Sequence, residues 1–100
     1  MKAILIEPGR DPEIITAPDT LQGIEARIGG HSETRVFPRA PAVIFFRAGH
    51  EQALNRQYRG QWIYGPILCY GWANNDIRPL SGKIMQDMME RFRKAEVNVT

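Results

Sequence analysis

From Trp62 to Trp72 the chain alternates with a period of two. Trp62, Tyr64, Leu68, Tyr70 and Trp72 fall on one parity, and Ile63, Gly65, Ile67, Cys69 and Gly71 fall on the other. That alternation belongs to a strand, whose successive side chains point to opposite faces. Pro66 stands in its middle and cannot donate to a ladder, so the spacing predicts a bend or bulge at Gly65-Pro66 that turns one long strand into two short ones.

The other elements arrange themselves around this strand pair. Lys2 to Ile6 is an apolar strand that stops at the Glu7-Pro8-Gly9 turn signal, and Glu13 to Thr16 is its hairpin partner. Asp19, with Gln22 three residues on, opens a short amphipathic helix carrying Leu21, Ile24 and Ile28, which Gly29-Gly30 closes. Glu33 to Phe37 reads as a strand, and Ala42 to Arg47 (AVIFFR) as a continuous apolar strand of the kind buried on both faces. Asn74-Asn75-Asp76 is a turn. Ser81 is the N-cap of a last helix whose Ile84, Met85, Met88, Met89 and Phe92 form an apolar stripe, read as core or interface packing.

The clustering of strands around one early and one late helix predicts an α+β domain: a mainly antiparallel sheet of about five strands, with one early and one C-terminal helix packed on it and one face covered. A chain of 100 residues is long enough for one core, so residues 1–94 form a single domain and 95–100 a frayed tail.

The composition, 43% hydrophobic and 24% charged, is that of ordinary globular proteins. No apolar run approaches the roughly 20 residues that a bilayer span needs. The opening MKAILIEPGR carries too short an apolar run for a secretion signal, so a cytoplasmic location is expected. Cys69 is alone and lies in an apolar segment, where a buried and inert thiol is expected. Thirteen basic residues against 11 acidic ones leave a net charge of +2, which permits nucleic-acid binding without calling for it.

The candidate site is the segment LNRQYRGQW. Asn55, Arg56 and Arg59, with Tyr58 and Trp62 nearby and Arg47 upstream, supply what a planar anion requires. Arginine forks grip phosphate or carboxylate, aromatic rings offer a stacking face, and Asn offers a donor-acceptor edge. The alternative is structural: Asn55 serves its own loop and Arg56 pairs with a carboxylate such as Glu51 or Glu33. His31 and His50 would need Glu33 and Glu51 as co-ligands, and neither His31-x-Glu33 nor His50-Glu51 has the spacing of a metal motif, so no metal is expected. The carboxylates Asp11, Glu13, Asp19 and Glu25 sit where capping and solvation account for them. A second functional reading is a nucleic-acid-binding module using Arg47, Arg56, Arg59, Arg91 and Arg93.

Three segments together resemble a known family. They are the early helix ending in Ile28-Gly29-Gly30 followed by Glu33, the Asn55-Arg56 pair ahead of the Ile63 to Gly71 strand, and Asp76-Ile77-Arg78-Pro79-Leu80-Ser81 opening a helix that ends at Phe92. From Met1 to about Phe92 the chain resembles the domain-of-unknown-function family 3846. Such proteins are small, bacterial, and frequent in phages and other mobile elements. The family name records no assigned activity, so the resemblance implies a fold more than a function. A non-enzymatic accessory protein without a cofactor is expected because no Ser-His-Asp order, Gly-rich phosphate loop or CxxC pair is present. Combined with the candidate site, this gives a protein that binds a small anionic, nucleotide-like ligand or a host protein, in counter-defence and as a homo-oligomer. Gly65 and Gly71 would then let backbone approach the ligand closely.

Overall fold

The computed structural model describes all residues from Met1 to Thr100. In chain order the elements are β1 (Lys2–Ile6), β2 (Glu13–Thr16), α1 (Leu21–Ile28), β3 (Ser32–Val36), β4 (Ala42–Arg47), β5 (Leu54–Tyr58), β6 (Gln61–Tyr64), β7 (Ile67–Ala73), β8 (Asp76–Arg78), α2 (Gly82–Arg91) and β9 (Glu96–Val97). The class is α+β, as expected, but the strands number nine rather than about five, and they form two sheets. The larger sheet runs β2-β1-β7-β4-β3, with β8 added to the end of β7, and all its pairs are antiparallel. The smaller sheet runs β6-β5-β9, where β9 lies parallel to β5.

The core is double, and the expectation of one covered face gives way to two. On one face of the large sheet, Ala3, Leu5, Val43, Phe45, Leu68 and Tyr70 meet Ile24 and Ile28 of α1. On the other, Ile4, Ile6, Ile44, Phe46, Ile67 and Cys69 meet Met85, Met88 and Phe92 of α2 and, from the small sheet, Tyr58 and Ile63. β4 and β7 lie in the middle of the sheet between these layers, which is why AVIFFR and ILCY are apolar on both parities. The methionine stripe of α2 is core packing. Cys69 is fully buried, and burial pushes its thiol well above the usual range, as an inert thiol requires.

The boundaries follow local chemistry. Thr20, not Asp19, caps α1, its hydroxyl accepting from Gly23 N at 3.1 Å, while Gly29 ends the helix at φ 91. Glu25 then anchors the next strand: its carboxylate accepts from Ser32 N at 2.8 Å and Ser32 Oγ at 3.1 Å, and chiefly the backbone bond holds it below the usual carboxylate range. Asn74 and Asn75, at φ 54 and 57, make the two-residue turn between β7 and β8. Ser81 does occupy the N-cap of α2, although its side chain makes no capping bond.

The bend at Gly65-Pro66 separates β6 from β7 and hands the chain from one sheet to the other. Gly65 has φ +79, and a Cβ there would lie 1.9 Å from Gln52 Oε1. The close neighbour at this glycine is thus the protein's own Gln52. Gly71 likewise receives β8, with Arg78 O 3.0 Å from where a Cβ would be.

Residues 95–100 are not the frayed tail that their position predicts. Gln57 N donates to Ala95 O at 2.7 Å, Val97 is 4% exposed within the α2-side core, and Arg91 Nη1 donates to Asn98 O at 2.7 Å. A tail that supplies a strand to an open sheet edge and buries a valine is part of the domain.

Candidate functional site

A β-bulge builds the site. In the β5–β6 pair, Leu54 faces Tyr64 and Arg56 faces Ile63, so Asn55 is the extra residue of β5. In a regular strand Asn55 and Arg56 would point to opposite faces. The bulge turns both inward, and they are 8% and 7% exposed, the two buried polar side chains of the protein.

Their hydrogen bonds reach four separate segments. Asn55 Nδ2 donates to Ile6 O at 2.8 Å, at the end of β1, and to Gly65 O at 2.7 Å, at the bend. Arg56 Nε donates to Phe92 O at 2.8 Å, at the end of α2, and Nη2 donates to Arg10 O at 2.7 Å, in the β1–β2 loop. Arg56 Nη1 donates to Asn55 O at 3.2 Å and to Asn55 Oδ1 at 2.8 Å. The pair is structural, but not in the way the sequence suggested: Asn55 bonds the backbone of distant segments rather than its own loop, and Arg56 takes carbonyls rather than the carboxylates of Glu51 or Glu33. Glu33 is engaged by Arg35 at 3.2 Å.

Arg56 has no ion-pair partner, yet it stays charged. All its acceptors are neutral, and the Phe92 carbonyl lies at the C-terminal, electronegative end of α2. Burial lowers the pKa of the guanidinium, and the charge of Asp11 opposes that shift. Four of its five N–H groups are used, which leaves one Nη2 hydrogen.

Over this pair lies an open cleft of about 410 Å³, lined by Gly9, Arg10, Asp11, Leu54, Asn55, Arg56, Trp62, Arg93 and Ala95. Arg10 makes no side-chain bond or ion pair. Arg93 reaches Glu90 at 2.9 Å with more than half of its side chain exposed, and Trp62 is 49% exposed. The cleft thus has a cationic floor, two arginines of the surface and an indole in its lining.

Of the expected set, Asn55, Arg56 and Trp62 come together here, and the other three do not. Tyr58 is 2% exposed, meets Phe37 edge-on at 5.3 Å, and its Oη donates to Val36 O at 3.3 Å, so its ring has no face to offer a ligand. Burial raises its pKa accordingly. Arg59 is in the β5–β6 turn at φ 51, exposed and away from the cleft. Arg47 lies over Gly30, whose Cβ would be 3.2 Å from Arg47 Nε, and lines a separate crevice with Glu51, Gln52 and Tyr64. Arg10 has no signal in the sequence, and Asp11 reads there as a capping or solvated carboxylate, because Pro8-Gly9 marks only a turn; nothing local shows that Arg56 will bind that turn's backbone.

Of the arginines expected to form a nucleic-acid face, Arg56 and Arg93 share this cleft, while Arg47, Arg59 and Arg91 lie outside its lining. Arg91 is held by Asp87 through paired bonds of 3.1 Å, and its guanidinium stacks over Phe37 at 5.6 Å. With Arg56 buried, two of the five are committed to the fold.

Fold and site together define a small, two-sheet α+β domain with a buried Asn-Arg node beneath a cationic, Trp-lined cleft. Residues 1–93 match the family described as domain of unknown function DUF3846, and the chain belongs to that family. No curated protein and no solved structure matches it. No helix is long and apolar enough to cross a membrane.

Proposed function

We propose that this chain is a non-enzymatic binding protein whose cleft takes a small anion bearing a flat, nucleotide-like group. The observation that carries the reading is the lining of that cleft: three arginines, Arg10, Arg56 and Arg93, against one carboxylate, Asp11, with a half-exposed Trp62 among them. Arg10 and Arg93 suit the anionic end, since guanidinium forks bind phosphate and carboxylate in two-point fashion, and Trp62 suits the flat end by stacking. Arg56 contributes its field and one N–H from below, where it is held in place before any ligand arrives, so little ordering is required on binding. The setting implied by the family resemblance is a phage or mobile-element accessory protein in the cytoplasm of a bacterial host. Sequestering such a ligand from a host defence is the role that this gives it. The counter-reading, a nucleic-acid module, is weakened by the engagement of Arg56 and Arg91 within the fold.

The test is native mass spectrometry of protein purified from a bacterial lysate, followed by titration of a panel of mono- and dinucleotides against tryptophan fluorescence. A retained mass, or saturable quenching, that disappears in Trp62→Ala and in Arg10→Ala supports the reading. A bare protein that responds to no member of the panel overturns it. Binding only to long single strands, with a steep loss as salt rises, would transfer the assignment to nucleic acid.

A further inference from the structure

The large sheet has two free edges, and they differ. β3 carries the ion-paired Glu33 and Arg35, the charged dressing that discourages edge-to-edge pairing. β2 is Glu13-Ile14-Ile15-Thr16, has no lysine, and has proline only just outside it at Pro12 and Pro18. Its hydrogen-bonding direction can be read from its end. Met1 and Ala17 exchange both bonds, Ala17 N donating to Met1 O at 2.8 Å and Met1 N donating to Ala17 O at 3.0 Å. Bonded pairs alternate along an antiparallel ladder, so Ile15 and Glu13, opposite Ala3 and Leu5, also bond inward. Ile14 and Thr16 therefore aim their N–H and C=O groups outward.

A second feature coincides with this edge. Ile14 pairs with Ile4, whose side chain belongs to the α2-side core, so Ile14 stands on that face at the rim of the sheet. It is 49% exposed and, with Met85, Gln86, Met89, Glu90 and Arg93, lines an open groove of about 360 Å³ between β2 and α2.

We propose that β2 is a self-pairing edge through which two copies of this chain join antiparallel, about a two-fold axis at Ile14. The occupant follows from parity. A two-fold perpendicular to the sheet keeps each face on its own side, and only the outward-bonding residues can exchange bonds across it. Ile14 then lies opposite Ile14 of the second copy, bonded both ways, and Thr16 N–H meets the carbonyl of Pro12. Each copy's Ile14 comes down on the α2 face beside the other's, against the open side of the groove. One residue thus supplies the backbone pair, the apolar knob and a wall of the groove that receives it. The missing N–H of Pro12 and the shortness of β2 make this a reversible dimer rather than an obligate one.

Sedimentation equilibrium over a range of concentrations, with amide hydrogen exchange on the same samples, tests it. Association to a dimer is expected, with the Ile14 and Thr16 amides gaining protection as concentration rises, while the inward Ile15 amide does not change. Ile14→Lys and Thr16→Pro should each weaken the dimer at least tenfold without changing the monomer's circular dichroism, because neither residue's N–H is used by β1. A protein that stays monomeric up to about 1 mM overturns the proposal, as does a dimer in which the Ile14 and Thr16 amides exchange at the monomer's rate. The exchange measurement needs no variant, so a misfolded mutant would not leave the question open.

Discussion

Arg56 Nη1 donates to Asn55 Oδ1 at 2.8 Å, a bond between sequence neighbours that exists only because the bulge in β5 turns both inward. Through it, the anchor at Ile6 and Gly65 is fastened to the anchor at Phe92 and Arg10. The node sets the distance between the large sheet, the small sheet and the end of α2. It also forms the floor of the cleft. Structural and functional roles therefore meet at one side chain, and mutagenesis must separate them.

Arg56→Ala removes the donor to three backbone carbonyls and to Asn55 Oδ1, each then relying on water. At about 1 kcal/mol or more for a buried group left unpaired, the expected loss is about 2–4 kcal/mol, read as a lower midpoint in urea. Arg56→Lys should recover only part of this, since an ammonium cannot span Phe92 and Arg10 with a planar fork. A loss under about 0.5 kcal/mol would mean that the node is incidental to the fold.

Trp62→Ala is the complementary experiment. Trp62 is half-exposed in β6, and its neighbour Ile63, not Trp62, enters the core. Stability should change by less than about 1 kcal/mol, while nucleotide-induced fluorescence change is abolished. Loss of stability comparable to that of Arg56→Ala would identify the indole as packing.

What the sequence discloses about this protein divides along a physical line. AVIFFR, the Gly65-Pro66 bend and the α2 stripe were legible because their signals are local: an apolar run, a missing donor, a helical spacing. Of the small sheet, only β6 was, as the first half of the strand that the bend divides; β5 and β9 were not. β5 reads LNRQY, whose interior polar pair looks like loop, and only the carbonyls of Ile6, Arg10, Gly65 and Phe92, distant in sequence, make its burial tolerable. β9 is two residues long and becomes a strand only because β5 is there to pair with it. The site followed the same division: Asn55, Arg56 and Trp62 come from one segment, but Arg10, Asp11 and Arg93 join them only through tertiary folding.

The C-terminal strand gives a further prediction. Deleting residues 95–100 removes Val97 from a core containing Phe37, Tyr58 and Phe92 and uncovers one edge of β5. Burial of a valine stabilises by about 1.5–3 kcal/mol, so thermal unfolding of the truncated chain should occur several degrees lower. An unchanged midpoint would show that these residues fray in solution.

Alkaline pH should destabilise the protein through its tyrosines. Tyr70 is fully buried and its Oη donates to Pro18 O; burial, with the nearby charge of Asp19, pushes its pKa up to about 12 from an ordinary 10.0. Burial raises Tyr58 in the same direction. A phenol that is harder to ionise folded than unfolded stabilises the fold in full below pH 10.0, and that contribution is lost as pH rises from there through about 12. Denaturation followed from pH 8 to pH 12 should show a falling midpoint above pH 10, shallower in Tyr70→Phe; equal slopes would mean that Tyr70 ionises as freely folded as unfolded.

Gly65→Ala tests the bend that passes the chain between the sheets. At φ +79 an alanine is strained by about 1 kcal/mol or more in any surroundings. Here its methyl would also lie 1.9 Å from Gln52 Oε1, a contact that requires the glutamine to move. Gln52 is the far end of a flexible side chain, so the steric part can be relieved while the backbone part cannot. Gly65→Ala should therefore destabilise by about 1–3 kcal/mol, and pairing it with Gln52→Ala should recover the steric share alone. The coupling also reports on the node, because Gly65 O accepts from Asn55 Nδ2 at 2.7 Å and any shift of the bend moves that acceptor. If Gln52→Ala restores full stability, backbone strain at Gly65 is negligible. If it restores none, the bend itself, and with it the Asn55 anchor, is what an alanine disturbs.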